Sequence, residues 1–171
     1  MIYVKEENGK IVEVFETNDQ ELAELNGFTT PCDREIVQVH DGSYKFADEV
    51  TEEDFLPTLA EVKESKINEL KSIRDTEEVM PIEVNGHLFD YDDKARERIN
   101  AAIIALDLTQ GTITWTLADN TDTNVTANDL KYVIAMVAQR SNELHIKYRM
   151  LKGQVEEAQT REEVGTIVWG D

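Results

Sequence analysis

The sequence has one cysteine, three prolines and eight glycines in 171 residues. A single cysteine, Cys32, excludes an intrachain disulfide and any cysteine cluster for zinc. Basic residues are scarce: 17 Lys and Arg stand against 36 Asp and Glu, a formal net charge of −19. That shortage excludes a sequence-independent grip on nucleic acid, which needs a basic face, and electrostatic docking on anionic lipid. Long apolar runs are missing too. Runs such as Ala101 to Leu106 fall far short of the roughly 18 residues of a membrane span. The first residues, Met1-Ile2-Tyr3-Val4-Lys5-Glu6-Glu7, lack the basic-then-apolar plan of a signal peptide. Hydrophobic residues at 40% are enough to build a core. A soluble chain without signal peptide or membrane association is expected.

The acid is concentrated early. The first 80 residues hold 21 of the acidic and 8 of the basic residues, and the densest patch is Asp48-Glu49 followed by Glu52-Glu53-Asp54. Carboxylates favour the positive end of a helix dipole, so the patch reads as a helix start. Ile2-Tyr3-Val4 and Ile11-Val12-Glu13-Val14-Phe15 flank Asn8-Gly9, a hairpin signal. Asn18-Asp19-Gln20-Glu21 reads as a capping box for a helix through Leu25, stopped by Asn26-Gly27. A second hairpin turns at Asp41-Gly42, between Ile36/Val39 and Tyr44/Phe46.

Thr51 to Asp54 is expected to open a helix running to about Arg74, with Pro57 in its first turns. Its face, Leu56, Leu59, Lys63, Ile67, Leu70 and Arg74, is narrow and broken by charge, as in a linking helix. A third hairpin turns at Asn85-Gly86. Asp90 or Asp92 then caps a helix carrying Ala95, Ile99, Ala102, Ile103 and Leu106 on one side. Ile113-Thr114-Trp115-Thr116-Leu117 alternates as a strand does and puts Trp115 on the inward face. Asn124-Val125-Thr126 returns as a short strand.

The strongest periodic signal follows. Leu130, Ile134, Val137, Ser141, Leu144, Tyr148, Leu151, Val155 and Ala158 recur at 4-3-4-3 spacing after a Thr126/Asp129 cap. A helix over 127–158 would be about 48 Å long. It would protrude, or pack against the 92–108 helix and then against a partner. Leu130, Ile134, Val137, Leu144, Tyr148 and Leu151 are therefore candidates for a packing or oligomer interface. Trp115 and Trp169 are candidate core aromatics. Thr160-Arg161-Glu162-Glu163 caps one last helical turn.

The fold class expected is α+β. A β-rich unit spans 1–50, a linking helix 51–78, and a C-terminal α+β domain of hairpins and helices 79–171. Catalytic chemistry has little footing. His40, His87 and His145 have no helical pairing, Cys32 has no neighbouring base, and no phosphate-cradling or nucleophile-elbow motif occurs. No catalytic residue, metal or cofactor is expected.

A set of elements in fixed order resembles a domain of unassigned function found toward the C-terminal end of tailed-phage and prophage tail proteins. The set is Asn85-Gly86-His87-Leu88-Phe89-Asp90, then Arg96-Glu97-Arg98-Ile99, then Ile113 to Asn120. A long helix follows with Leu151-Lys152 near its end, then Ala158 to Val164, and Ile167-Val168-Trp169. The resemblance spans about 83–169, and the preceding helix with Lys66 and Arg74 extends it. It implies a non-enzymatic tail component, a short tail fibre or a baseplate or fibre adaptor, with other tail or fibre proteins as partners. It also implies a homo-oligomer, by preference a trimer, located in the virion tail or the cytoplasm of the infected bacterium. A tail-fibre assembly chaperone is the alternative, and an acidic inhibitor or nucleic-acid mimic a more distant one.

Overall fold

The computed structural model describes residues 1–8, 10–29 and 31–170. The architecture is α+β, and it divides into two compact units, Met1–Thr58 and Leu59–Asp171.

In the first unit, β1 (Ile2–Glu7) and β2 (Lys10–Glu16) form the first hairpin. Gly9 of the expected turn lies outside the described residues. Asn8 has φ +53°, the left-handed conformation such a turn needs. β3 (Ile36–Gln38) and β4 (Tyr44–Phe46) form the second hairpin, and β4 pairs with β2 to give one sheet ordered β1-β2-β4-β3. Helix α1 (Gln20–Leu25) is capped by Asp19, whose side chain accepts the Leu22 N–H. The Asn18-to-Glu21 box expected from sequence is not the cap. Asn18 Oδ1 instead accepts from the amino group of Met1. Tyr3, Ala23 and Phe28 are buried together, with Phe15 stacked on Phe28 at 5.4 Å.

The helix expected from Thr51 begins later. Thr51 and Asp54 do form a capping box, but it opens only a 3-10 turn, Glu52–Phe55. Proline disfavours helical geometry in the residue before it, and Leu56 is accordingly extended at φ −100°, ψ 147°. Helix α2 then runs Leu59–Glu78 and belongs to the second unit.

The second unit continues with the hairpin β5 (Ile82–Val84) and β6 (His87–Phe89), turning on Asn85 and Gly86, both at positive φ. Helix α3 (Asp93–Thr109) is capped by Asp92. Strands β7 (Ile113–Thr116) and β8 (Asp122–Val125) pair antiparallel. Helix α4 (Ala127–Glu157) opens with the Thr126/Asp129 capping box, and α5 (Arg161–Thr166) with the Thr160/Glu163 box.

Two hydrophobic clusters share α4 as their common wall. The first gathers Val84, Phe89, Ile99, Leu106, Trp115, Leu117 and Val125 onto Leu130, Val133 and Val137. The second gathers Leu70, Ala158, Val164 and Trp169 onto Leu144, Leu151 and Val155. Helix α2 lies antiparallel to the far half of α4. Its start reaches the end of α4 through Lys63 Nζ on the Glu156 carbonyl at 2.8 Å. Its end reaches the middle through Glu78, which accepts from Ser141 Oγ at 2.7 Å. The sequence suggested that α4 would protrude, or pack against α3 and then against a partner. It is covered instead by α2 and α5 of its own chain.

Candidate interaction surface

The residues singled out by heptad spacing all turn inward. Leu130, Val137, Leu144 and Leu151 are buried, and Ile134 and Tyr148 are partly buried against the same two clusters. Trp115 is buried under the Arg98 guanidinium, 4.8 Å from its ring, and Trp169 lies buried beneath Lys147 Nζ at 4.9 Å. The charges that break the α2 stripe serve the same packing. Lys63 satisfies a free carbonyl at the α4 C-terminus, where the helix dipole favours a cation. Arg74 stacks over Tyr148 at 4.8 Å.

Turning the stripe inward fixes what α4 shows outward. At 100° per residue, the line opposite the buried stripe runs through Asn128, Tyr132, Ala135, Gln139, Asn142, Ile146 and Met150. None of these seven is charged, in a chain with 31% charged residues. Tyr132, Ile146 and Met150 are 49%, 50% and 57% exposed. Sequence reasoning missed this face because it becomes visible only once the first stripe is known to be internal. Helix α3 carries a shorter outward patch, with Ile104 and Leu108 at 66% and 82% exposed beside Ala101 and Ala105.

Titratable groups serve structural ends. Hydrogen bonds from Thr126 hold the Asp129 carboxyl below its ordinary range, and those from Thr121 do the same for Asp119. In the early acidic patch, the Arg34 guanidinium bonds Asp48 and Glu49 and is held above its usual value by them. It also lies 3.6 Å from the Phe46 ring centre. Lys45 and Thr51 hold Asp54 low. The patch expected to open a helix is thus tied up by cation pairing and a 3-10 cap. Arg140 sits where α2 gives way to β5, donating to the carbonyls of Glu78 and Pro81. Burial pushes its guanidinium below the ordinary value, with nearby Tyr91, Glu78 and Glu77 opposing. His145 Nε2 lies 3.0 Å from Glu78 Oε1.

Among the described residues, no three His, Cys, Asp or Glu side chains are grouped to hold a metal ion. No described helix is long and apolar enough to cross a membrane. The first unit has an open groove of about 540 Å³ whose lining includes Lys10, His40, Tyr44, Lys45 and Asp54. Its charged pair, Lys45 and Asp54, is already joined.

Residues 61–168 match the family model described as a domain of unknown function, DUF4376. That stretch begins inside α2 and takes in everything from there through α5. No curated protein and no solved structure matches the chain.

Proposed function

The chain belongs to the DUF4376 domain family. We propose that it is a non-enzymatic component of a phage or prophage tail, acting through protein–protein assembly. The observation that carries the proposal is the pair of outward apolar faces on α3 and α4, with Ile104, Leu108, Tyr132, Ile146 and Met150 exposed on rigid helices. The ordered elements that resemble tail-protein domains, from Asn85 to Trp169, lie within the unit that bears these faces. On this reading the chain is a short fibre or an adaptor at a baseplate or fibre, its partners are other tail proteins, and three copies assemble.

Mass spectrometry of purified tailed particles from the encoding genome tests the proposal. A structural component is recovered from the particles in stoichiometric amount. Recovery from the infected-cell lysate but not from particles would assign the chain to chaperoning of fibre assembly. Absence from both fractions while particles are being made would overturn the proposal.

A further inference from the structure

We propose that Asn85 is a site of spontaneous covalent modification, at which the side-chain amide is lost and the turn between β5 and β6 becomes aspartyl or isoaspartyl. This chemistry is independent of any role in a tail. An asparagine followed by glycine can be attacked by its own backbone. A solvent base takes the proton from the glycine nitrogen, and that nitrogen bonds the side-chain carbonyl carbon of the asparagine. The bond to the amide nitrogen breaks, ammonia leaves, and a cyclic imide remains. Water then opens the ring at either carbonyl. One opening gives aspartate. The other gives isoaspartate, in which the main chain runs through the side-chain methylene. No oxidant or reductant is needed.

Three Asn-Gly pairs occur in the chain, Asn8-Gly9, Asn26-Gly27 and Asn85-Gly86. Gly9 lies outside the described residues. The other two pairs are exposed, and their surroundings differ. Asn26 is locked at the end of α1. Its Nδ2 donates to the Leu22 carbonyl at 2.8 Å, and its own carbonyl accepts from Lys5 Nζ at 3.1 Å. The Gly27 N–H, the group that would attack, donates to the Glu24 carbonyl at 2.9 Å. Closing the ring at Asn26 breaks all three bonds.

At Asn85 no such bond stands in the way. Among the described residues, neither the Asn85 side chain nor the Gly86 N–H has a hydrogen-bond partner. A β-carbon built on Gly86 would meet nothing within 4 Å, so the turn has room to rotate. Asn85 has φ +53° and Gly86 φ +78°, the left-handed pair of a two-residue hairpin turn. That conformation keeps the glycine nitrogen away from the side-chain carbonyl, so the ring closes when the turn opens. Opening is easy here. Each strand has three residues and the sheet has two strands, a pairing that is marginal by itself. Val84 and Phe89 anchor the strands in the first cluster, which confines the opening to the turn.

Both products change their surroundings. Asn85 borders a recess of about 150 Å³ together with His87, Asn124 and Asp129, so an aspartate adds a second carboxylate to it. An isoaspartate lengthens the main chain between Val84 and His87, which pair across the turn, and loosens the hairpin.

The test compares the native full chain with the chain unfolded in guanidinium, both held in one mildly alkaline buffer. Peptides are followed by mass spectrometry with fragmentation that separates aspartate from isoaspartate. In the unfolded chain Asn26 and Asn85 should convert at similar rates, since glycine follows each. In the native chain Asn26 should convert at least about tenfold more slowly than Asn85. Asn85→Gly, which suits the left-handed turn, should remove the product at this position and leave the far-UV circular dichroism unchanged. Isoaspartyl chains, separated by ion exchange, should unfold at lower denaturant than unmodified ones. Native conversion of Asn26 as fast as that of Asn85 would overturn the proposal. So would an Asn85 that stays intact in the native chain while the unfolded chain converts. Isoaspartyl chains as stable as unmodified ones would overturn the effect on the hairpin.

Discussion

Thr126 and Asp129 hold each other at the head of α4. The Thr126 hydroxyl accepts the Asp129 N–H, and the Asp129 carboxylate accepts from the Thr126 N–H at 2.8 Å. Thr126→Ala is expected to cost about 1 kcal/mol, read from the urea midpoint. The same cap gives a pH dependence. Asp129 in the folded chain lies below its ordinary value. Its contribution is therefore fully present above the unfolded carboxylate pKa of about 3.9 and is lost as pH falls through the lower folded value. Urea titrations across that acid range should show Asp129→Asn with a shallower loss of stability than the native chain. An unchanged acid slope would remove Asp129 from this role. Such caps were legible in the sequence because they are local. The Thr126, Thr160 and Asp92 caps each involve residues within three positions of one another. The exceptions are also instructive. Asn18 was expected in a cap, but it has a nonlocal rival in the Met1 amino group.

Elements were harder to place than residues, because their partners are distant in sequence. The hairpin turns at Asp41-Gly42 and Asn85-Gly86 carry their own geometry, with Gly42 and Gly86 at positive φ. The pairing of β2 with β4 carries none, since nothing near either strand marks the other. Helix α2 was expected too early because its capping signal is real while Pro57 separates it from the α-helix. Its low-contrast stripe concealed how fully it is used, with Leu70 completely buried against α4 and α5. Leu70→Ala is accordingly expected to cost about 2–5 kcal/mol in denaturant unfolding. A cost below about 1 kcal/mol would mean that α2 is not docked on α4.

At the scale of the molecule, both large clusters lie wholly within 59–171. A fragment of those residues, made without the first unit, should fold with a cooperative thermal transition by circular dichroism. A fragment that is helical but melts without cooperativity would show that the core is incomplete without residues 1–58. The heptad stripe was fully legible as a pattern, yet spacing records only that one face of a helix is covered. It does not record whose atoms cover it. The structure assigns that cover to β5 through α3, β7, β8, α2 and α5 of the same chain.

The measurement that bears most directly on this division of α4 is the behaviour of Val137→Asp and Leu144→Asp, followed by circular dichroism and light scattering on the same samples. Both positions are buried in the chain's own clusters, so each change places a charge in a core and should abolish the cooperative thermal transition. A variant that keeps the native spectrum and melting transition but falls to a smaller mass would mean that the stripe joins subunits, and would contradict the account.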